Sequence, residues 1–151
     1  KNEDIYVKGE NSYLITKEVE MKSDNLIKVN NSNGNFELSG YNSQIKTTTI
    51  YIAGENIKGN FIDINGENVV QKMHVEDSTQ MNIKTDKLNM FALSADFNKD
   101  NNTIELFDRV KIFRGDELIT GDYAKINTVD ESYKITSKKS KKVKVLIKKN
   151  D

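Results

Sequence analysis

Residues Thr103–Ile112 read TIELFDRVKI, and their pattern decides the fold class. Ile104, Leu106, Val110 and Ile112 share one parity, and Glu105, Arg109 and Lys111 share the other. A period of two gives a β-strand one packed face and one face in water. The stretch therefore predicts a strand of an antiparallel sheet that is covered on one side only.

Two further stretches carry strand signals. Val143, Val145 and Ile147 alternate with lysines near the end of the chain, and Ile45–Ile52 is almost entirely β-branched or aromatic. Such side chains pack well on a pleated, half-buried surface. The sequence thus predicts an all-β protein of about 12–16 short strands with little helix.

Turn signals separate these strands. Proline is absent, so asparagine and glycine must form the turns, as in residues 30–35 (NNSNGN), 65–66 and 100–102. Lys17–Val29 is the best helical candidate, but Asp24 and Asn25 interrupt its apolar positions. A turn about every 8–12 residues favours a sandwich, a jelly roll or a barrel-like sheet.

A short pattern recurs six times: an apolar residue, any residue, a small residue and an acid. The copies begin at Val7, Ile52, Ile64, Ile83, Leu93 and Ile119. A small residue lets strands bend or approach, and the acid lies on the wet face or caps a corner. A second unit, at Leu38–Tyr41 and Leu106–Val110, is predicted to form the corner between two strands of a hairpin. Together these units predict a sheet that stacks similar hairpins.

Composition points to one domain, 1–151, without catalytic chemistry. There is no cysteine, and His74 is the only histidine, so zinc would lack nitrogen and sulfur ligands. A lone histidine in a strand is mostly structural or on the surface. No nucleophile elbow or phosphate-binding loop occurs. We expect a binding protein, not an enzyme, with no metal and no cofactor.

The second half of the chain resembles a known family. Leu93–Ile112 is similar to a unit of the OstA-like (LptA/OstA) lipopolysaccharide-transport proteins, in which a small residue and an acid open a strand that leads through a turn to an apolar strand ending in a corner. Asp116–Ile126 is similar to the following unit. Lys141–Ile147 resembles the basic, valine-rich last strand of these proteins.

The likeness is good from about Met81 to Ile147 and looser from Ile5 to Ile64. The chain departs from the family at Phe107-Asp108, where a Thr-Gly or Glu-Gly step is usual. This departure affects the expected geometry of one corner more than the expected fold.

The resemblance implies a half-open antiparallel β jelly roll whose two twisted sheets leave an apolar groove for the acyl chains of lipopolysaccharide. The residues that we expect in this groove are Phe91, Leu93, Phe97, Ile104, Leu106, Val110, Ile112, Ile119 and Tyr123. Taken without the resemblance, the same side chains would fill a closed sandwich equally well.

The resemblance also implies partners. It implies a periplasmic protein that binds lipopolysaccharide and its lipid A part, joins the jelly-roll domains of inner- and outer-membrane transport components, and pairs with copies of itself end to end. Open sheet edges offer unpaired backbone groups for such pairing. We expect Ile5 and Val7 on one edge, and Val143, Val145 and Ile147 on the other.

Other interpretations remain at this point. One is the membrane-anchored (LptC-like) partner of the same system. The chain opens on Lys1, so we expect a processed or truncated form whose targeting segment has been removed. Another is a β-sandwich for adhesion or carbohydrate binding, which the absence of tryptophan disfavours. Nucleic acid is not an expected partner, since no aromatic-basic motif occurs and the chain outside its tail is acidic.

Charge is concentrated at the end of the chain. Residues 138–151 hold seven lysines and one acid, within a net charge of zero. This lysine-rich C-terminal strand and tail has three interpretations: a solvated terminus, an edge strand with Val143, Val145 and Ile147 inward, or a patch for phosphates.

Overall fold

The computed structural model describes residues 4–137 and 143–147, and it confirms an antiparallel all-β protein. Twelve strands are described: β1 (Asp4–Lys8), β2 (Ser12–Ile15), β3 (Glu20–Ser23), β4 (Leu26–Asn30), β5 (Asn35–Lys46), β6 (Tyr51–Ile64), β7 (Glu67–Lys84), β8 (Asn89–Asn98), β9 (Thr103–Arg114), β10 (Glu117–Asn127), β11 (Tyr133–Thr136) and β12 (Lys144–Ile147).

These strands form one sheet that does not close on itself. Its order is β1-β4-β5-β6-β7-β8-β9-β10-β11. The sheet forks at both ends, since β5 pairs with β4 and β3, and β10 pairs with β11 and β12. Open edges therefore remain among the described strands: β1 and β2 at one end, β11 and β12 at the other.

The long strands β5–β10 bend near their middles. Their registers shift, or their backbone turns left-handed, at neighbouring positions that cross the sheet as one line: 40–42, 54–55, 77–80, 92–93, 108–109 and 122. We call this line the corner. Bulges of this kind bend a strand and increase its twist.

The corner divides the sheet into two layers. Layer 1 holds β1, β4, β11 and residues 35–39, 56–64, 67–76, 94–98, 103–107 and 123–127. Layer 2 holds β2, β3, β12 and residues 43–46, 51–54, 81–84, 89–92, 110–114 and 117–121. Every layer is thus made of strand halves from almost the whole chain.

The two layers face each other across one core. Leu38 and Leu106 of layer 1, and Ile45 and Ile112 of layer 2, are completely buried in the same cluster. The described residues contain no element other than this sheet, so each layer can be covered only by the other. The arrangement is a sheet folded over its own apolar face.

The repeated apolar-x-small-acid pattern explains much of this fold. Its copies at Ile52, Leu93 and Ile119 lie at the corner, and those at Val7, Ile64 and Ile83 lie at turns between strands. A Cβ on Gly54 would come within 2.6 Å of Val75 Cγ2. The small residue therefore lets neighbouring strands approach where they bend, as the sequence predicts.

Two expectations about strand boundaries are wrong. Leu38–Tyr41 and Leu106–Val110 are not hairpin corners, because each lies inside a single strand, at the bends of β5 and β9. Accordingly β5–β10 are 10 to 18 residues long and not short. In β9 the bend uses left-handed backbone at Asp108 and Arg109, with φ of 63° and 51°.

The structure corrects two further interpretations of the sequence. Thr47 to Ile50 is a turn between β5 and β6 and not part of one strand, because the Thr47 hydroxyl accepts hydrogen bonds from the Thr49 and Ile50 amides. The helical candidate Lys17–Val29 forms β3 and β4, separated at its interrupting Asp24 and Asn25.

Candidate binding groove

The inner faces of the two layers form the candidate site, and most of the predicted groove residues meet there. Ile104 and Leu106 face inward from layer 1, and Val110, Ile112 and Ile119 face inward from layer 2. All five are buried, with at most 7% of any residue exposed. The alternation read from Thr103–Ile112 therefore selects the inner face of β9 correctly.

Phe97 and Leu93 are less deeply placed. Phe97 is half-buried in layer 1 and packs against the core. Leu93 lies at the corner of β8 and is also half-buried. Phe97 therefore borders the core, and neither residue forms its centre.

Phe91 and Tyr123 lie outside the space between the layers. Phe91 alternates with the buried Met90 and Ala92, so its ring points outward, where it packs edge-on against Phe113 with centroids 5.9 Å apart. The register shifts between Phe91 and Ser94, and this shift moves the inward set from even to odd positions.

A register shift in β10 likewise turns Tyr123 outward. A shift between Gly121 and Tyr123 brings Ala124 inward in its place. The Tyr123 hydroxyl donates a hydrogen bond of 2.6 Å to the Glu105 carboxylate, and this bond, with some burial, raises the pKa of Tyr123 to about 12. Tyr123 thus belongs to the outer face of layer 1.

The part of the chain before Phe91 supplies inner residues that the groove prediction lacks. The fully buried ones with the largest side chains are Ile27, Leu38, Ile45, Ile52, Ile57, Met81, Ile83, Leu88 and Met90. Some inner residues could have been predicted from three Thr-x-x-apolar steps in the sequence, which end at Val19, Ile50 and Leu88. In each step the threonine amide bonds back to the carbonyl of the apolar residue, and that residue turns inward at the rim of layer 2.

Polar groups on the inner side satisfy one another. Ser23 and Ser43, both buried near the corner, share a hydrogen bond of 3.1 Å between their hydroxyl oxygens. Ser23 Oγ also lies 2.7 Å from the Ser39 carbonyl oxygen, and Ser43 Oγ lies 2.7 Å from the Gly40 carbonyl oxygen. Because each hydroxyl has one proton, two of these three hydrogen bonds form at a time. The inner face consequently offers an incoming molecule mainly aliphatic surface.

Contacts between the layers close the side opposite the corner, which we call the mouth. At the C-terminal end of the mouth, Thr85 of layer 2 donates a hydrogen bond to Glu131 of the β10–β11 loop, and Arg114 donates to the Glu131 carbonyl. The Arg114 guanidinium also lies over the Tyr133 ring, 5.0 Å from its centroid. Among the described residues, Arg114 Nε is the one buried side-chain nitrogen or oxygen without a hydrogen-bond partner.

A second contact closes the other end of the mouth. The Glu18 carboxylate of the β2–β3 loop accepts a hydrogen bond of 2.8 Å from the Asn68 amide of β7. Nearby, Phe61 of layer 1 stacks on Phe36 at 4.5 Å and packs against the core. We call these two sets of contacts the latches. With both in place, the core side chains fill most of the space between the layers, and a cavity of about 130 Å³ remains beside Leu14, Met21 and Phe61.

Four of the five predicted edge residues lie on edge strands, and Val143 directly precedes β12. Ile5 and Val7 belong to β1, and Val145 and Ile147 belong to β12, at opposite ends of the sheet. Val145 pairs with the inward Ile119, yet it is 53% exposed, because no part of layer 1 that the structure describes covers it. One of the three interpretations of the tail places Val143, Val145 and Ile147 inward on an edge strand, and in the structure all three side chains are exposed.

Candidate metal ligands do not converge in the described residues. No three histidine, cysteine or acidic side chains among them are grouped as metal ligands. His74 lies on the outer face of layer 1, with Nδ1 2.6 Å from Asp96 and Nε2 3.5 Å from Glu76. In the described part of the chain there is also no helix with the length and apolarity to span a bilayer.

Comparison with known protein families identifies the family of this chain. The family described as OstA-like protein matches residues 60–148, which is more than half of the chain. The chain belongs to the OstA-like family. The match includes Met81 to Ile147, where the sequence resemblance is strongest, and confirms it.

A solved structure supports the fold of this OstA-like chain. The crystal structure of LptH from Pseudomonas aeruginosa, described as the LptA homologous periplasmic component of the conserved lipopolysaccharide transport device, superimposes with a TM-score of 0.70. The superposition covers 87% of this chain and 95% of LptH at 10% sequence identity. At that identity the similarity establishes the jelly-roll fold. A search of curated proteins gives no significant match.

The bend in β9 forms although its sequence, Phe107-Asp108, departs from the one usual in the OstA-like family. A glycine takes left-handed backbone without cost, whereas aspartate tolerates it because its short side chain can hydrogen-bond locally. Asp108 takes this conformation in β9, next to Phe107. The departure at Phe107-Asp108 therefore changes the residue at the bend and leaves the bend itself in place.

Proposed function

We propose that this chain is a periplasmic lipopolysaccharide-binding transport protein that bridges inner- and outer-membrane components, with the acyl chains of lipid A held between its two layers. The observation that carries the proposal is a continuous apolar face, folded over on itself, in a sheet that never closes. Membership of the OstA-like family and the fold shared with LptH support the same function. Binding of this kind needs burial of hydrocarbon and no catalytic group.

The inner face suits acyl chains chemically. It is lined mainly by aliphatic side chains, and its buried serines already bond to one another and to carbonyl groups. Each methylene that leaves water contributes about 0.8 kcal/mol, so a few acyl chains supply enough free energy to compete with the core packing that they displace. Specificity for the head group must come from residues outside this face.

Entry of an acyl chain between the two layers requires the contacts of the latches to break. The contacts Thr85–Glu131, Arg114–Glu131 and Glu18–Asn68 are few, and they join loops and strand ends instead of strand centres. Val145 and Ile147 extend the inner face beyond Ile119 and are exposed, so they form an apolar entrance at the C-terminal edge. We infer that an acyl chain meets this entrance first and that the layers part from there.

The open edges account for bridging. Edge strands present unpaired backbone N–H and C=O groups, which another sheet satisfies by adding a strand. β1 and β2 lie at one end of this sheet, and β11 and β12 lie at the other. The proposed partners are the jelly-roll domains of the inner- and outer-membrane components and further copies of this chain, joined end to end.

Photo-crosslinking tests the lipid site. A photoreactive side chain at Leu106 or Val145 should form an adduct with lipopolysaccharide, and Val145 is exposed, so the substitution leaves the core intact. The matched controls are Glu105, adjacent to Leu106 on the outer face, and Lys134 on the outer face of β11. Thr85→Val, which removes one latch contact, should increase the adduct at Leu106.

Two outcomes would count against the proposal. Equal labelling at inner and control positions would mean that the lipid has no preference for the inner face. Labelling at none of the positions would favour a closed β-sandwich for adhesion or carbohydrate binding.

A further inference from the structure

The outer face of layer 2 has a composition unlike any other surface of the described chain. Two rows of cross-strand neighbours traverse it, each through nine strands. The row nearer the mouth is Ile15, Glu20, Lys46, Tyr51, Lys84, Asn89, Phe113, Leu118 and Leu146. The row nearer the corner is Tyr13, Lys22, Gln44, Ala53, Asn82, Phe91, Lys111, Thr120 and Lys144. At about 4.8 Å per strand the face is about 38 Å wide.

The charged side chains in these two rows are almost all positive. The two rows contain five lysines and a single acid, Glu20, whose carboxylate lies 3.2 Å from Lys22. The outer face of layer 1 is different, because there Glu37 stands between Lys28 and Lys58, and Glu105 stands opposite Lys125. A general excess of lysine in the chain therefore does not explain the basic face of layer 2.

Aromatic side chains stand between the lysines. Tyr51 separates Lys46 from Lys84 in its row, and the Lys84 ammonium lies 5.7 Å from the Tyr51 ring centroid. These residues, with Lys22 and Glu20, line a shallow depression of about 370 Å³. An anionic oxygen in this depression would have ammonium groups on both sides of it.

Exposed apolar side chains stand at both ends of the row nearer the mouth. Ile15 and Leu146 are each 61% exposed, and Phe113 is 36% exposed. Flat arrays of lysine with aromatic and aliphatic side chains fit an interface in which phosphates meet the cations and apolar groups enter the head-group region. A soluble anion would use the lysines but would leave these apolar side chains in water.

We propose that the outer face of layer 2 docks on the surface of a membrane that carries anionic phospholipids. The site lies on the opposite side of layer 2 from the groove and does not depend on lipid binding there. It would orient the sheet against a bilayer and leave the outer face of layer 1 toward water.

Vesicle sedimentation tests this docking. The intact chain should bind vesicles of phosphatidylcholine that contain phosphatidylglycerol and should bind pure phosphatidylcholine vesicles far more weakly. Each lysine near an anionic surface contributes about 1 kcal/mol, so the double variant Lys46→Gln/Lys84→Gln should weaken binding about 20- to 30-fold. Added salt should weaken the binding of the unchanged chain as well.

The matched control removes two charges from the other outer face. Lys125→Gln/Lys134→Gln changes the net charge equally, and these two lysines are cross-strand neighbours on layer 1. It should reduce binding less than about threefold, since distant charges are screened. Both double variants replace exposed side chains, so their melting temperatures should match that of the unchanged chain.

Three results would overturn the proposal. Equal weakening by both double variants would show a net-charge effect without a defined face. Equal binding to both kinds of vesicle would show that anionic lipid is not the ligand. Lysine-dependent binding of inorganic phosphate, without binding to vesicles, would assign the face to soluble anions. None of these results bears on adduct formation at Leu106, so the two proposals fail separately.

Discussion

The substitution Ile112→Ala tests whether the two layers are packed together in solution. Ile112 has no exposed surface and lies in the cluster shared by both layers. The change removes three carbon groups, which costs about 2.4 kcal/mol in lost burial. The cavity left behind brings the loss in the free energy of unfolding to about 3–5 kcal/mol. For a chain of this size the melting temperature should fall by about 6–20 °C, measured by circular dichroism.

The neighbouring residue provides the control. Lys111→Ala alters an exposed side chain on the same strand, and it should change the free energy of unfolding by less than about 0.5 kcal/mol. If Ile112→Ala does not fold, Ile112→Val should still cost about 0.5–1.5 kcal/mol. A loss below about 1 kcal/mol for Ile112→Ala would refute the reasoning, because it would mean that the inner face is open and that Ile112 is not packed by the opposite layer.

Three further predictions concern pH, the corner and assembly. Burial lowers the pKa of His74, but the hydrogen bonds and charges of Asp96 and Glu76 outweigh it, so the pKa is raised above its ordinary value. Protonated His74 therefore stabilises the fold below about pH 6.5, and this contribution disappears as pH rises through the folded-state pKa. His74→Gln should flatten that part of the stability curve in urea titrations, and an unchanged slope would contradict the assignment. Gly54→Ala should lower the free energy of unfolding by about 1–3 kcal/mol, because its Cβ would press on Val75, and a neutral result would mean that the corner is looser than its geometry indicates. Light scattering from micromolar to millimolar protein should show a rising mean mass that deletion of residues 138–151 reduces and deletion of 148–151 does not. A constant monomer mass would remove the edge-pairing mechanism.

The sequence predicted the strands well wherever alternation ran without interruption. In β9 the residues Ile104, Leu106, Val110 and Ile112 keep one parity on both sides of the bend, and all four are buried. The left-handed pair at 108–109 changes direction without changing that parity. Here a period of two was sufficient, because the local pattern and the tertiary fold coincide.

Alternation failed where a register shift changed the parity. In β8 and β10 the positions Phe91 and Tyr123 share a parity with inward residues of the same strand, Phe97 and Ile119. A shift between them moved the inward set by one position, so both aromatic rings face outward. A small residue beside an acid marks where a strand can bend, but it does not state whether an extra residue is inserted there.

The sequence by itself determined that this chain is a β protein, because alternation, β-branched side chains and Asn/Gly turns depend only on neighbouring residues. It also determined where the strands can bend, through small residues such as Gly54 and Gly121 that leave room for Val75 and Ile135. Only the tertiary structure decided that each long strand crosses two layers, and that Thr85 and Arg114 of one layer meet Glu131 beside the other. Only the pairing of the strands, in their particular registers, placed five lysines on the outer face of layer 2. Strand register fixes which side chains share a face, and register is set by backbone hydrogen bonds between paired strands and by bulges, which alternation within a single strand does not encode.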